Sequence, residues 1–220
     1  MLRSVLVGTA IGLVVVAGAN AQARSSRKVI PVSMAKRFSF GAHTVIASGV
    51  TVLGPDITSP FQTSMGEGVG VQAGYGVTPR MMVFASVDVT RQPSESDYIT
   101  GSMGLSHLEL GGRMTFPTAR RRLVPYAMAV IGKRSMSATN GYYDDEDKSF
   151  SLKVSGMEIG VGGGVLYAFS PVLALDAGLI ASRGKFNRGT YTGEIHESGP
   201  LDVNSSTSMR LKVGFQWTPR

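Results

Sequence analysis

Residues 209–217 narrow the possible folds of this chain more than any other segment. Apolar or aromatic residues stand at every second position from Met209 to Trp217, with polar residues or Gly between them. A period of two predicts a β-strand whose two faces meet different surroundings. A strand of a membrane barrel has this form, and so does a soluble strand with one buried face. The rest of the chain has to decide between them.

The same alternation returns in a series of segments. We predict eight strands, at about 38–53, 64–77, 80–91, 103–116, 123–136, 150–168, 173–186 and 204–217. Three connections are tight turns, and four are longer and polar, at 54–63, 92–102, 137–149 and 187–203. Short turns on one side, long loops on the other and an even strand number are typical of outer-membrane barrels. We therefore expect an all-β fold, an eight-stranded antiparallel up-and-down transmembrane barrel over residues 38–217.

Parity gives most predicted strands an apolar face, which we expect to meet lipid. In the second strand, for example, Val69, Val71 and Tyr75 share one face, and Gln72 lies on the other. Ile180 breaks the rule in the seventh strand, and the first strand leaves its register undecided. A soluble barrel such as a lipocalin would place the apolar face inside, and parity alone does not fix the direction. The alternating loop lengths and the terminal aromatic residues favour the membrane barrel.

The N-terminal segment predicts export. Arg3 precedes an apolar run of about 13 residues, too short to span a bilayer, and small residues follow at 19–21. We interpret 1–21 as a signal peptide and 22–37 as a basic periplasmic lead-in. The sequence contains no Cys, which excludes disulfides and Cys-ligated metals. The formal net charge of +7 in an exported chain indicates anionic lipid as a partner, and we expect no nucleic-acid binding.

Three segments carry a resemblance to a known family. They are Gly-Tyr-Gly-Val-Thr-Pro-Arg at 74–80, Leu-Glu-Leu-Gly-Gly-Arg at 108–113, and the closing strand. With these residues the chain resembles the small outer-membrane β-barrel family, OmpA/OmpX-like in the broad sense. The resemblance implies a bacterial outer-membrane location and a C-terminal strand read by the barrel-assembly machinery, with Lys212, Gly214 and Trp217 at the matching spacing. Members of such a fold differ in role, so the resemblance implies no particular activity.

Charged residues recur on the predicted inner faces. Because eight strands enclose only enough space for side chains, we expect these charges to pair and fill the lumen. A conducting pathway is the alternative interpretation. The predicted lumen network comprises Asp88, Glu109, Arg113, Glu158, Asp176, Arg210 and Lys212.

The segment Ser106-His107-Leu108-Glu109 contains residue types used in hydrolysis, and lipid-A-modifying enzymes also use eight-stranded barrels. Ser106 and His107 point to opposite faces of a strand, however, so we expect a structural His107. No metal-ligand spacing occurs, and we expect no cofactor. The acidic run at 142–147 lacks the spacing of a calcium loop, so we interpret it as a solvated loop.

Basic residues cluster near the predicted loop-side ends of three neighbouring strands. Outward parity suggests that Arg134, Lys153, Arg183 and Lys185 form one patch just above the apolar band. Lipopolysaccharide phosphates lie at that height, so the patch is a hypothetical lipopolysaccharide site, and generic anchoring at the interface is the alternative. Leu152 and Val154 suggest a bulge or slip between Lys153 and Met157.

These observations favour a non-enzymatic integral outer-membrane protein with a structural or surface-interaction role. Outer-membrane lipid and lipopolysaccharide are the expected partners, and the sequence identifies no surface partner. The alternatives are a porin-like or small-solute transport barrel and, third, a lipid-A-modifying enzyme that uses His107.

Overall fold

The computed structural model describes residues 35–48, 51–53, 61–62, 65–93, 102–116, 118, 122–142, 149–192, 196–200 and 205–219. The predicted signal peptide and most of the predicted lead-in lie outside these residues, as does the acidic run after Tyr142. In the described part of the chain, no helix is long and apolar enough to cross a membrane.

The described residues form a single antiparallel sheet of eleven strands. They are β1 (Phe38–Ala47), β2 (Thr51–Leu53), β3 (Phe61–Gln62), β4 (Gly66–Gly76), β5 (Met81–Pro93), β6 (Ser102–Thr115), β7 (Leu123–Tyr142), β8 (Ser149–Ala168), β9 (Leu173–Thr192), β10 (His196–Pro200) and β11 (Ser205–Trp217). Eight of these strands close on themselves, because β11 pairs with both β1 and β9 and β1 also pairs with β4. The predicted eight-stranded antiparallel barrel is confirmed.

Several strands extend further on the loop side than the sequence predicted. β7 and β9 each run for 20 residues, into segments expected to be loops, whereas β8 begins only one residue before its predicted start. β10 continues the sheet beside β9, while β2 pairs with β11 and β3 pairs with β2. The apolar alternation stops before these strands do, which explains why the sequence pattern placed their ends too early.

Burial alternates along the barrel strands as the parity argument predicted. On β8, for example, Ile159 and Val161 are 65% and 67% exposed, whereas Glu158 between its outward neighbours is 1% exposed. Ile180 lies inside the barrel, which explains its break with the outward pattern. The structure also fixes the register of β1, where Phe38 and Phe40 face outward and Ser39 faces inward.

The lumen contains two apolar layers that the sequence analysis did not predict. The turn-side layer comprises Met82, Phe84, Tyr126, Met128, Val130, Leu166, Ala174 and Ile180. The loop-side layer comprises Met103, Leu105, Met136, Ala138, Val154 and Phe186. On β6 the polar residues His107 and Glu109 follow directly after Leu105 along the inner face, so the main charge network lies between the two layers.

Candidate functional site

Arg210 on β11 lies at the centre of the charged lumen. Its Nη1 donates to Asp88 Oδ2 at 2.9 Å, and its other terminal nitrogen donates to Glu109 Oε1. Lys212 Nζ lies 2.6 Å from Asp88 Oδ2 and 3.4 Å from Glu109 Oε2. His43 Nε2 lies 2.8 Å from Asp88 Oδ1. Each of the two buried carboxylates therefore has more than one donor, as a buried charge requires.

The absence of a side chain at Gly70 leaves room for this cluster. Arg210 and Lys212 are two residues apart on β11 and so share its inner face. On β4, a Cβ at Gly70 would lie 2.3 Å from Asp88 Oδ1 and 2.4 Å from His43 Nε2. Any larger residue at position 70 would displace the pair.

Arg134 belongs to the lumen, and its predicted outward orientation is wrong. The side chain is 1% exposed, its Cζ lies 4.8 Å from the centre of the Phe186 ring, and its Nη2 donates to Ser206. Its Nη1 lies 3.9 Å from Glu158 Oε2, while Glu158 Oε1 accepts from His107 Nδ1 at 2.5 Å. Apolar residues occupy both faces of β7, so its hydropathy did not reveal which face was the inner one.

A second group of paired side chains lies toward the turn side. Arg113 Nη2 lies 2.9 Å from Asp176 Oδ2, and Arg113 Nη1 donates to Gln216 Oε1 at 2.8 Å. Tyr126 donates its hydroxyl to Asp176 Oδ1 at 2.6 Å, and its ring lies 4.1 Å from the guanidinium carbon of Arg113. This arrangement sets a polar network within the turn-side apolar layer.

The lumenal charges balance once Arg134 is counted. Among the described residues, Asp88, Glu109, Glu158 and Asp176 are the inward carboxylates. The inward Arg and Lys residues are Arg113, Arg134, Arg210 and Lys212. All seven residues of the predicted lumen network lie inside the barrel, and each makes an ion pair with another of the seven or with Arg134. The two inward histidines make hydrogen bonds to Asp88 and Glu158. Equal numbers of opposite charges are what a low-dielectric interior requires.

Two cavities between the lumenal side chains are small. A cavity beside Arg113, Asp176 and Lys212 measures about 20 Å³, and another beside Thr115 and Gln216 is of the same size. Since one water molecule needs at least roughly 10–15 Å³ on the same measure, each cavity has room for about one.

A metal ion does not fit the one candidate cluster found in the described part of the chain. His107, Glu109 and Glu158 place one potential ligand atom each within 4.8 Å of one another. Both carboxylates, however, already face arginine, since Arg210 bonds Glu109 and Arg134 lies beside Glu158. A divalent cation here would add positive charge next to two guanidinium groups.

The structure separates the residues of the hypothetical hydrolytic motif. His107 is 0% exposed and faces Glu158 inside the barrel. Ser106 lies on the other face of β6, where its Oγ donates to Ser135 O at 3.4 Å.

The predicted basic patch keeps three of its four residues on the outer wall. Lys153, Arg183 and Lys185 are exposed there, and Lys133 is exposed on β7 where the sequence analysis had expected Arg134. A register shift lies between Ser155 and Gly156, within the segment where a bulge or slip was predicted, but the bulge is on the neighbouring strand. The extra residue is Asn187 on β9, so the outward parity of β8 is unbroken.

Comparison with solved structures finds the same fold. Neisserial surface protein A matches with a TM-score of 0.56 and 18% identity, covering 82% of this chain and 96% of that chain. A major outer-membrane protein of Thermus thermophilus matches at 0.54 and 13%, covering 82% and 99%. OprG of Pseudomonas aeruginosa matches at 0.51 and 11%, covering 87% and 99%. No family model and no curated protein sequence matches this chain. The likeness concerns the fold: the chain forms an eight-stranded antiparallel barrel like those of these outer-membrane proteins.

Proposed function

We propose that this protein is a non-enzymatic, non-conducting integral barrel of the bacterial outer membrane. Its role is positional, since the barrel holds the connections between its long strands at the cell surface. The observation that carries this proposal is the plugged lumen, in which Arg210, Lys212, Asp88 and Glu109 occupy the centre. Ions crossing such a lumen would have to break buried ion pairs, each costly to separate.

The outer wall supports insertion in a bilayer. Apolar side chains such as Leu110 and Val161 are more than 60% exposed, which a soluble barrel would have to cover. Aromatic residues gather at the turn-side end, as in the interfacial girdle of membrane barrels. The contacting pairs are Phe38–Tyr75, Phe40–Trp217, Tyr167–Phe169 and Phe169–Phe215.

Planar-bilayer recording tests the sealed lumen. The folded protein is reconstituted, and its insertion is checked by the change in gel mobility that membrane barrels undergo on boiling. We expect no stable conductance steps, and reproducible steps would favour the transport alternative. Cell fractionation tests the proposed location. Absence of the protein from the outer-membrane fraction would contradict it.

His107→Ala tests the non-enzymatic part of the proposal. Because the imidazole is buried against Glu158, we propose that it has a structural role and expect the mass spectrum of cellular lipid A to be unchanged by the substitution. A changed lipid-A spectrum, with the barrel still folded, would favour the enzyme.

The expected lipid partner remains lipopolysaccharide, as proposed from the sequence. Assembly by the barrel-assembly machinery likewise remains a proposal.

A further inference from the structure

A group of cations without acidic partners lies on the outer wall of three adjacent strands. All five are exposed, and none has an ion pair or hydrogen bond with another described residue. They are Lys133 on β7, Lys153 on β8, and Arg183, Lys185 and Arg188 on β9. We call them the β7–β9 cation cluster.

The strand register places these cations in successive rows. Met157 pairs with Lys133 on one side and Lys185 on the other, so the two lysines flank it in the sheet. Two strand spacings separate these lysines, which puts their Cα atoms roughly 10 Å apart. In the next row toward the loops, Ser155 pairs with Ser135 and with Arg188. The rows therefore combine cations with hydroxyl groups.

The cluster begins where the apolar wall ends. Ile131 and Ile159 share a row with Arg183, the first cation. The row below is fully apolar, with Val161 between Ala129 and Ala181. In an outer membrane, the end of the apolar wall would place the cations at the level where acyl chains give way to headgroups on the loop side.

Another outward arginine has an acidic residue beside it in the same row. Arg91 on β5 stands directly opposite Glu67 on β4, and both are exposed. In the rows of the β7–β9 cation cluster, the described outward positions of β7, β8 and β9 hold no acidic residue. Five like charges in roughly 10 by 20 Å repel one another unless an anion lies among them.

We propose that the β7–β9 cation cluster binds the phosphorylated sugar headgroup of an outer-leaflet glycolipid. The Lys133 and Lys185 ammonium groups contact phosphate oxygens, the serines contact sugar hydroxyls, and Met157 between them contacts the lipid's apolar part. This inference rests on the proposed outer-membrane location and specifies its lipid partner. It also replaces Arg134 by Lys133 and adds Arg188 to the residues proposed from the sequence.

The test measures binding of lipid A to the full chain in phosphatidylcholine nanodiscs by native mass spectrometry. One titration uses lipid A with two phosphates, and a second uses the same lipid after phosphate removal. The test variant is Lys133→Gln/Lys185→Gln, and the matched control is Arg91→Gln. A basic side chain at an anionic surface contributes about fivefold in affinity, so we expect about a 25-fold loss in the double variant. The control should change less than about twofold, and added salt should weaken wild-type binding.

Two results would overturn the proposal. One is equal binding of the phosphate-free lipid. The other is a loss in Arg91→Gln as large as that in the double variant, because it would reflect charge in general and not this cluster. If the wild-type chain fails to insert in the nanodisc at all, with no change in gel mobility on boiling, the outer-membrane proposal fails and this inference with it.

Discussion

Replacing Arg210 with Met tests whether the lumen is stabilised by ion pairing. The guanidinium bonds both Asp88 and Glu109, and all three side chains are 0% exposed. Met keeps an unbranched apolar stem but lacks the guanidinium group, so the change removes one buried positive charge and its hydrogen-bond donors. Two carboxylates would then share Lys212 and the imidazole of His43.

The expected loss follows from the partners that remain. Breaking a buried ion pair by removing one member costs about 3–5 kcal/mol of the free energy of unfolding. Because Lys212 still contacts both carboxylates, we expect the lower end, about 3 kcal/mol, for Arg210→Met. Glu109→Gln alone should cost about 2 kcal/mol, since Arg210 keeps its bond to Asp88.

The double variant discriminates between pairing and simple packing. Arg210→Met/Glu109→Gln removes one charge of each sign and leaves no uncompensated carboxylate. We expect a total loss of about 3 kcal/mol, which is about 2 kcal/mol less than the two single losses together.

Equilibrium unfolding of the bilayer-inserted protein in urea measures all three variants. Trp217 is the single tryptophan of the chain and is 49% exposed on the outer wall, so its fluorescence reports transfer from lipid to water. Losses that simply add would refute the argument that these groups act as a charge-compensated unit.

Further variants test orientation and packing. Arg134→Gln should lower the free energy of unfolding by about 1.5–3 kcal/mol, because it loses buried charged hydrogen bonds. Unchanged stability with reduced lipid binding would instead support the outward orientation of Arg134 that the sequence predicted. Leu110→Arg should cost about 2–4 kcal/mol in the same urea assay, since Leu110 is 63% exposed on the apolar wall, and no loss would argue against a lipid-facing position. Gly214→Ala should cost about 1–3 kcal/mol, because its Cβ would lie 2.1 Å from Ala42 O. Gly112→Ala is the matched control, with nothing within 4 Å of the added atom, and should stay within about 0.5 kcal/mol of wild type.

The sequence was sufficient for the barrel because lipid imposes a strict requirement on each strand. On β8, Glu158 and the glycines alternate with Met157, Ile159 and Val161, and only one orientation keeps the carboxylate away from lipid. The same holds on β11, where Arg210 and Lys212 alternate with apolar residues. In such strands the polar face identifies the side that faces the lumen, provided that the barrel lies in a membrane.

β7 lacks that contrast, so its orientation could not be predicted from its own residues. Inside the barrel it carries Met128 and Val130, and outside it carries Ala129 and Ile131. A lumen with apolar layers accepts hydrophobic residues on either face of a strand. The two adjacent cations, Lys133 and Arg134, could then exchange roles without changing the hydropathy pattern.

Charge balance would have resolved this ambiguity. The seven residues of the predicted lumen network contain four carboxylates but only three cations, so a buried network required one more positive charge. β7 offers Lys133 or Arg134, and alternation sends one inward and the other outward. Arg134 faces Glu158 inside, and Lys133 therefore joins Lys185 on the outer wall. The neutrality of the lumen and the composition of the β7–β9 cation cluster thus both depend on which face of β7 points inward. For this reason Arg134→Gln should lower stability, whereas Lys133→Gln should weaken lipid binding.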